Sequence, residues 1–536
     1  MTISKACHLL RKPETQETLL SISYIMSDKD TINSSSHRQI LRTTTTFGSA
    51  TAIKILIGLL KIKFVAILLG PVGIGLLGLY ESLMTMVATL MGMGLSNSGV
   101  RQIAGSSSNN NETATVRGVL WYASIFLGIV ALVGMWAFRD VLAIWIFNDE
   151  SYAENTGYLG VAVLLAIFSG AQMAVLQGLR QIGNMARASI VSSIIGLLVS
   201  LPIIWFLRDE GIVWYLVAGH AVTIIVTSIY IKKLSLTLPG ITEVVRGSAH
   251  LKTMLILGVT FMVTQFITEA TRLVVRSLIV NDLGLEASGQ FQAVWAISMT
   301  YMGFVITTMT ADYYPRLTGA IHDNQRANRI VCEQTEAALL LAGPLILLMQ
   351  AFAPWVIRLL YSADFMSSVE ILRWLILGDA VRLLAWPLGF VLIAKGKWQL
   401  FFITQLIWNL AYLLVVWFGL QELGLLVTGL GYVFCYLLVF GLNTVIVNQV
   451  SGFRWSMANV IMGVTVCALC LLIQGLAMWS PEVAMITGML ITAVFGWFCL
   501  KRLVHLSGLN DDLLQFGERR KAILDFFANR KMGNKS

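Results

Sequence analysis

The chain alternates long apolar stretches with short polar breaks from Phe47 to Leu503. Fourteen of these stretches reach the length of roughly 20 residues that an α-helix needs to cross a bilayer. They lie at about 47–69, 76–97, 117–138, 157–178, 187–207, 212–233, 253–281, 289–311, 336–360, 369–394, 398–419, 424–447, 457–479 and 483–502. The pattern predicts an all-α polytopic membrane protein, because no polar segment between these stretches is long enough for a soluble domain with its own core.

Composition supports this class. Hydrophobic residues make up 57% of the 536 residues and charged residues 12%, whereas soluble domains carry roughly 25% charged residues. The net charge of +9 is typical of basic cytoplasmic loops in a membrane protein, so nucleic acid is not expected as a partner.

Both ends of the chain are polar. Residues 1–46 lack the apolar core of a signal peptide, and we expect a disordered cytoplasmic terminus. Met26 opens a stretch typical of an ordinary start, so residues 1–25 are either an upstream extension or part of that tail. In 504–536, apolar residues share one helical face and basic residues surround it. This predicts a cytoplasmic amphipathic helix on the inner leaflet, with a solvated tail as the alternative.

The connections between the predicted helices alternate in charge. The basic set contains Arg101, Arg117, Arg180, Arg187, Lys232, Lys233, Arg246, Lys252, Arg316, Arg326, Arg329, Lys395, Lys397 and Arg454. The acidic set contains Asp140, Asp149, Glu150, Glu154, Asp209, Glu210, Asp282, Glu286, Asp364, Glu422 and Glu482. Basic loops stay in the cytoplasm, so both termini are expected there, as an even number of spans requires.

Glycines recur at a nearly constant offset, which indicates an internal repeat. The pairs are Gly70 and Gly284, Gly75 and Gly289, and Gly105 and Gly319, each 214 apart, then Gly183 and Gly396, and Gly211 and Gly424, each 213 apart. A repeat unit with an even number of helices keeps its orientation. We therefore predict two parallel six-helix lobes, 47–235 and 250–450, followed by two further helices in 455–503.

Three lysines lie in the first predicted helix. Lys54 and Lys61 are seven residues apart and share a helix face, whereas Lys63 is turned about 200° from Lys61. Charges are rare in hydrocarbon and usually face a hydrated interior. Two lysines on one face at different depths favour a cavity wall. For Lys63, close to a helix end, an ammonium that reaches the interface is the alternative.

Other ionisable residues lie within predicted helices. Glu269, Arg272 and Arg276 share a face through i, i+3 and i+4 spacing, and Asp379 and Arg382 are an i, i+3 pair. Structural ion pairing is the alternative for Glu269 with Arg272 and for Asp379 with Arg382. Two further polar residues, Glu81 and His220, are isolated in apolar surroundings, and for His220 hydrogen-bonded packing is the alternative.

Cations outnumber acids among these residues, which favours an anionic substrate such as a phosphate bound by lysine and arginine. The sequence has no G-x-x-x-x-G-K-[ST] pattern for ATP and no cluster typical of a metal site or a catalytic triad. We expect no cofactor and no enzymatic reaction.

Several motifs resemble Wzx-type flippases, a family of the MOP superfamily that also includes the MATE exporters. They are the lysines of the first helix followed by LGPVGIG, the stretch around Arg276, GQFQAV at 289–294, YYPRLTG at 313–319, LGDAVR at 377–382 and LIAK at 392–395. Within the family, the chain is most similar to the O-antigen and enterobacterial-common-antigen (lipid III) translocases over roughly residues 40–450.

The resemblance implies a flippase of the bacterial inner membrane that moves an undecaprenyl-diphosphate-linked oligosaccharide from the inner to the outer leaflet. Membrane lipids, a polysaccharide polymerase and a chain-length regulator would be its other partners. It also implies that Lys54, Lys63, Arg276, Asp379 and Arg382 line the cavity. Glu81, Glu269, Asp379 and His220 would be candidates for ion coupling or ion pairing, and the two extra helices for a docking surface or a lipid-facing groove.

Two other functions compete with this interpretation. A MATE-type cation-coupled drug exporter would favour an acidic cavity, whereas cations dominate here. A membrane-integral polysaccharide polymerase or ligase would need a sizeable periplasmic loop, and the longest such connection is about 139–156.

Overall fold

The computed structural model describes residue 53 and residues 55–107, 109–234 and 248–506. The predictions for 1–46, for Lys54 and for the tail beyond Leu506 lie outside this part of the chain. Eleven helices of the described part are long and apolar enough to span a membrane. Three of them, Ile55–Gly92, Ile182–Lys232 and Phe261–Gly319, are 38, 51 and 59 residues long. Each contains a break, so the eleven helices divide into fourteen segments within the described part of the chain.

Two of the breaks fall at glycines that the predicted repeat pairs. Gly70 has φ 63° and divides Ile55–Gly92 into α1 (55–69) and α2 (71–92). Gly284 has φ 88° and divides Ser248–Gly319 into α9 (248–283) and α10 (285–319). Glycine adopts positive φ angles without steric cost, so a single glycine reverses the chain at each of these two positions.

The remaining helices are named in chain order. They are α3 (Leu95–Ser106), α4 (Asn110–Ala137), α5 (Arg139–Phe147), α6 (Ala153–Gly178), α7 (Ile182–Leu207), α8 (Gly211–Lys232), α11 (Asn324–Ala351), α12 (Ala353–Leu360), α13 (Val369–Ala394), α14 (Trp398–Leu423), α15 (Leu426–Ser451), α16 (Met457–Trp479) and α17 (Pro481–Leu506). We call residues 55–234 the N-terminal half and residues 248–451 the C-terminal half.

Helix lengths recur between the halves. The helices α4 and α11 both have 28 residues and begin 214 apart, after the side-chain caps Asn109 and Asp323. The helices α6 and α13 both have 26 residues, and so do α7 and α14, but each pair begins 216 apart. The chain between α12 and α13 contains the 3₁₀ turn Ala363–Ser368, which is longer than Glu150–Tyr152 before α6. This difference shifts the offset.

The shifted offset changes two glycine pairs. The left-handed residues after α6 and α13 are Arg180 and Gly396, and the corresponding positive-φ residues after α7 and α14 are Arg208 and Gly424. Both pairs are 216 apart. The pairing of Gly396 and Gly424 with glycines 213 residues earlier is therefore wrong.

Two predicted spans have different bounds. The stretch 336–360 is not one helix, because α11 begins at Asn324 and ends at Ala351, and α12 follows separately with Pro354 in its first turn. The stretch 76–97 is divided as well, because Met93 and Gly94 have positive φ between α2 and α3.

One place where the two halves meet is the point where α1 joins α2 and α9 joins α10, which we call the glycine-turn end. The halves also touch near the start of α9, where Gly258 packs against the backbone of Met93 and Gly94. The backbones of α2 and α10 touch at Gly75 and Gly289. A Cβ on Gly289 would overlap the Pro71 carbonyl oxygen, and one on Gly75 would overlap that of Leu285. This contact requires glycine on both helices and closes the glycine-turn end of the molecule.

The last two helices pack outside the C-terminal half. Both α16 and α17 contact α11, and α16 also contacts α13. An apolar groove of about 800 Å³ lies between α16 and α17, with the Arg502–Glu336 ion pair (3.0 Å) at one end.

A candidate anion-binding cavity

A cavity of about 670 Å³ lies inside the N-terminal half and reaches α9 and α10. Its polar wall consists of Lys61, Glu81, Ser82, Thr85, Ser189, Ser192, Ser193, His220, Thr223, Arg272, Arg276 and Gln292. Three cationic side chains thus face one carboxylate and a ring of hydroxyl groups. We call this space the charged cavity. Within the described residues, no group of three or more His, Cys, Asp or Glu side chains is placed to hold a metal ion.

The Lys61 ammonium is the least constrained of the three cations. It lies 4.0 Å from the centre of the Tyr215 ring, a distance typical of a cation–π contact. Among the described residues, no carboxylate lies within ion-pair distance of it. An ammonium with an aromatic contact and no ion pair is placed to attract an anion.

The Arg276 guanidinium is 3% exposed and joins three helices. It donates to the Gly78 carbonyl oxygen (2.6 Å), to the Ser82 hydroxyl and to the Gln292 side-chain oxygen. The Gln292 amide in turn lies 3.5 Å from Glu81. The side chain lacks a partner in its own helix, and the structure supplies partners from α2 and α10. Its charge is surrounded by neutral oxygens, and its Nε has no hydrogen-bond partner among the described residues.

Arg272 forms an i, i+3 ion pair with Glu269, at 2.9 Å, which was the alternative interpretation of these two residues. Its side chain also lines the charged cavity, whereas Glu269 lines neither this cavity nor the next one. Arg272 is therefore paired with Glu269 and still lines the wall of the charged cavity.

A second cavity, of about 340 Å³, lies in the C-terminal half between α9, α10, α13, α14 and α15. Its wall contains Arg382 and eight aromatic side chains: Phe291, Trp295, Trp386, Phe390, Phe401, Trp408, Tyr412 and Tyr436. We call it the aromatic cavity. Arg272, Trp295 and Met299 line both cavities, so the two spaces are neighbours.

Asp379 is fully buried behind the aromatic cavity and does not line it. Its carboxylate accepts from the hydroxyls of Ser298 (2.7 Å), Tyr301 (2.5 Å) and Tyr432 (2.9 Å). The Arg382 guanidinium lies 3.8 Å from it. The resemblance implied that Asp379 and Arg382 both line the cavity. Arg382 does line the wall of the aromatic cavity, whereas Asp379 lies behind it.

His220 lies on the wall of the charged cavity, and its Nδ1 is 3.2 Å from the Ser169 hydroxyl. This contact agrees with the alternative of a hydrogen-bonded packing residue.

Lys63 does not line either cavity. Its ammonium donates to the carbonyl oxygens of Arg358 (2.9 Å) and Tyr361. These carbonyls lie at the carboxyl end of α12, where helix oxygens lack partners and the helix dipole favours a cation. The implied cavity position of Lys63 is wrong, because this lysine joins α1 to the C-terminal half at the glycine-turn end.

The sequence did not reveal the aromatic cavity. Its amides, Gln405, Asn409 and Asn443, were visible as polar residues in apolar helices. Its tryptophans and tyrosines, in contrast, have the same pattern as aromatic residues that pack in a core or at the membrane interface.

Comparison with known structures identifies the class of protein first. The inward-closed structure of the lipid II flippase MurJ aligns with a TM-score of 0.64, covering 85% of this chain and 99% of that one at 12% identity. The inward-facing structure of a MATE multidrug transporter aligns with a TM-score of 0.63, covering 76% and 96% at 15% identity. The chain therefore has the fold of the MOP superfamily, as predicted.

Sequence comparison then gives the family. The model of the family described as polysaccharide biosynthesis protein matches residues 64–370, and the chain belongs to this family. The lipid III flippase of Escherichia coli K12 is 24% identical over 370 residues, which cover 67% of this chain and 86% of the relative. The lipid III flippase of Shigella flexneri matches with the same identity and coverage.

Proposed function

We propose that the chain is a flippase that carries an undecaprenyl-diphosphate-linked oligosaccharide across the bacterial inner membrane. The observation that carries this proposal is the charged cavity, in which Lys61, Arg272 and Arg276 outnumber Glu81 inside an apolar bundle. A diphosphate is the part of such a lipid that needs cations in place of water. The relatives named lipid III flippase support the same substrate class.

Transport would follow an alternating-access scheme. The N-terminal and C-terminal halves act as two lobes. They close the glycine-turn end in the present conformation and open it in the second conformation of the transport cycle. We infer that this end faces the periplasm, because the acidic connections lie there. The sugars and diphosphate cross through the cavity, while the polyprenyl chain remains in lipid.

The membrane potential favours this direction. Two negative charges that leave an inside-negative cell at 100 mV would gain about 4.6 kcal/mol, as an upper limit. The charged cavity distinguishes this proposal from a MATE-type exporter of organic cations, for which its positive charge would be unfavourable.

Export of the finished surface glycan tests the proposal. In a deletion strain, Lys61→Gln should reduce export at unchanged protein level, because the ammonium forms no hydrogen bond or ion pair with a described residue. The matched control is Lys397→Gln, which neutralises an exposed lysine between α13 and α14. Normal export by Lys61→Gln, or an equal loss in the control, would contradict the cationic mechanism.

A further inference from the structure

The aromatic cavity contains buried polar atoms that have no partner among the described residues. They are the indole Nε1 atoms of Trp295 and Trp408 and the amide oxygens of Asn409 and Asn443. All four side chains line the cavity and are at most 9% exposed. Unpaired buried polar groups are rare in native proteins because they lose their hydrogen bonds to water. Two donors and two acceptors on the side chains that form the wall are thus without a partner.

The wall around these atoms is held in place. The Trp408 ring stacks on Tyr412 at 5.3 Å and 18°, and Trp295 meets Tyr432 edge-on at 5.7 Å. The Tyr432 hydroxyl is fixed by the buried Asp379, so this carboxylate positions the wall from behind. An ordered wall lowers the entropy lost on binding.

The chemistry of the wall selects the class of ligand. Aromatic faces are electron-rich and accept the C–H face of a ring, whereas amides and indole N–H groups bind hydroxyls and carbonyls. A pyranose, and in particular an N-acetylated one, presents both surfaces on one small ring. A purely apolar occupant would leave the four polar atoms unpaired. At about 340 Å³, the space lies at the lower end of ligand pockets and suits a short piece of a glycan.

The neighbouring cavity gives the orientation. Arg272 and Trp295 line both spaces, so a ligand that reaches from one to the other passes between a cation and an aromatic face. We propose that the aromatic cavity is a sugar subsite that holds the first residues of the glycan while the charged cavity holds the diphosphate. This inference rests on the proposed function.

Binding of two lipids to the purified full chain in lipid nanodiscs tests the subsite. One probe is undecaprenyl diphosphate, and the other is undecaprenyl diphosphate that carries a single N-acetylhexosamine. The wild-type protein should bind the sugar-bearing probe more tightly. Asn409→Leu and Asn443→Leu should each reduce this preference about 3- to 10-fold, the effect of one or two lost hydrogen bonds. Affinity for the sugar-free probe should not change, which also shows that the variants are folded.

Two controls separate this inference from the proposed function. Gln421→Leu removes an exposed amide from the same helix, α14, and should leave the preference unchanged. Lys61→Gln should weaken both probes equally. Equal binding of the two probes by the wild type, or an unchanged preference in both asparagine variants, would overturn the sugar subsite. Unaltered binding of both probes by Lys61→Gln would instead overturn the diphosphate site. The sugar subsite would still be decided by the preference of the wild type and the asparagine variants for the sugar-bearing probe.

Discussion

At the scale of single residues, the cations of the charged cavity differ in what the fold requires of them. Lys61 contacts an aromatic ring and has no described carboxylate within ion-pair distance, whereas Arg276 donates to oxygens on two other helices. The sequence identified both as intramembrane cations but did not separate these situations. The partners of Arg276 are backbone and neutral side-chain oxygens, for example that of Gly78, which lies 198 residues away. A pattern of charges along the chain contains no information on such partners.

This difference predicts different effects of neutralisation. Arg276→Gln should reduce both export and the stability of the protein, because it leaves the Gln292 amide oxygen without its donor and removes one of the two side-chain donors of the Gly78 carbonyl. Such losses amount to about 1–3 kcal/mol each when the group is buried. Lys61→Gln should reduce export alone. Melting temperatures in detergent, measured beside glycan export, will distinguish the two variants. Equal melting temperatures would contradict a structural role of Arg276.

At the scale of elements, the apolar pattern predicted the spanning segments well and their breaks poorly. The fourteen segments follow from hydrophobic length alone. The division between α11 and α12 was missed because the sequence stays apolar through 351–356, with Pro354 as its main signal. The aromatic cavity was missed for a related reason, since aromatic residues in apolar helices look alike whether they line a cavity or pack in the core.

The contact between α2 and α10 depends on two glycines without side chains. Gly289→Ala should destabilise the protein or hold the glycine-turn end open, because its Cβ would overlap the Pro71 carbonyl, and a backbone atom cannot give way easily. The matched control is Gly303→Ala on the same helix, where a Cβ meets no atom within 4 Å. That change should stabilise the helix by up to about 1 kcal/mol. Melting temperatures of the two variants should therefore move in opposite directions, and equal shifts would argue against a tight α2–α10 contact.

Two residues bridge the halves at the same end. Lys63 on α1 donates to the last carbonyls of α12, and Ser277 on α9 donates to the Trp145 carbonyl of α5 (3.0 Å). Lys63 and Ser277 are 214 residues apart, the offset that relates α4 to α11. Each half thus holds the short helix of the other by one side chain.

The bridge predicts that Lys63 acts on conformation rather than on substrate binding. Lys63→Gln should shift the molecule towards the state that is open at the glycine-turn end, since a neutral amide interacts more weakly with the α12 carboxyl end. Lys63→Arg, which keeps the charge, should do so less. Spin labels at the exposed residues Val72 and Leu359, on α2 and α12, would report this as a larger share of long distances. An unchanged distance distribution would show that the bridge does not hold the end closed.

At the scale of the whole molecule, the membrane orientation determines towards which side the present conformation is closed. The halves touch at the glycine-turn end through Gly75 and Gly289, and acidic residues such as Asp149 and Asp209 lie in the connections there. Basic residues such as Arg180 and Lys397 lie in connections at the opposite end. If basic connections face the cytoplasm, the present conformation is closed towards the periplasm.

The orientation predicts which surface residues a reagent outside the cell can reach. In a background without the native cysteines, a cysteine at Glu150, exposed before α6, should react with a membrane-impermeant thiol reagent in intact cells. A cysteine at Ser107, exposed after α3, should react only after the membrane is opened. The two positions are separated by α4, which is 28 residues long and spans about 42 Å at 1.5 Å per residue. The helix α5, which follows α4, has only 9 residues and is too short to cross back, so the two positions lie on opposite sides of the bilayer. The opposite labelling pattern would invert the orientation. The present conformation would then be closed towards the cytoplasm, and the protein would have to change conformation before it could bind a substrate from the inner leaflet.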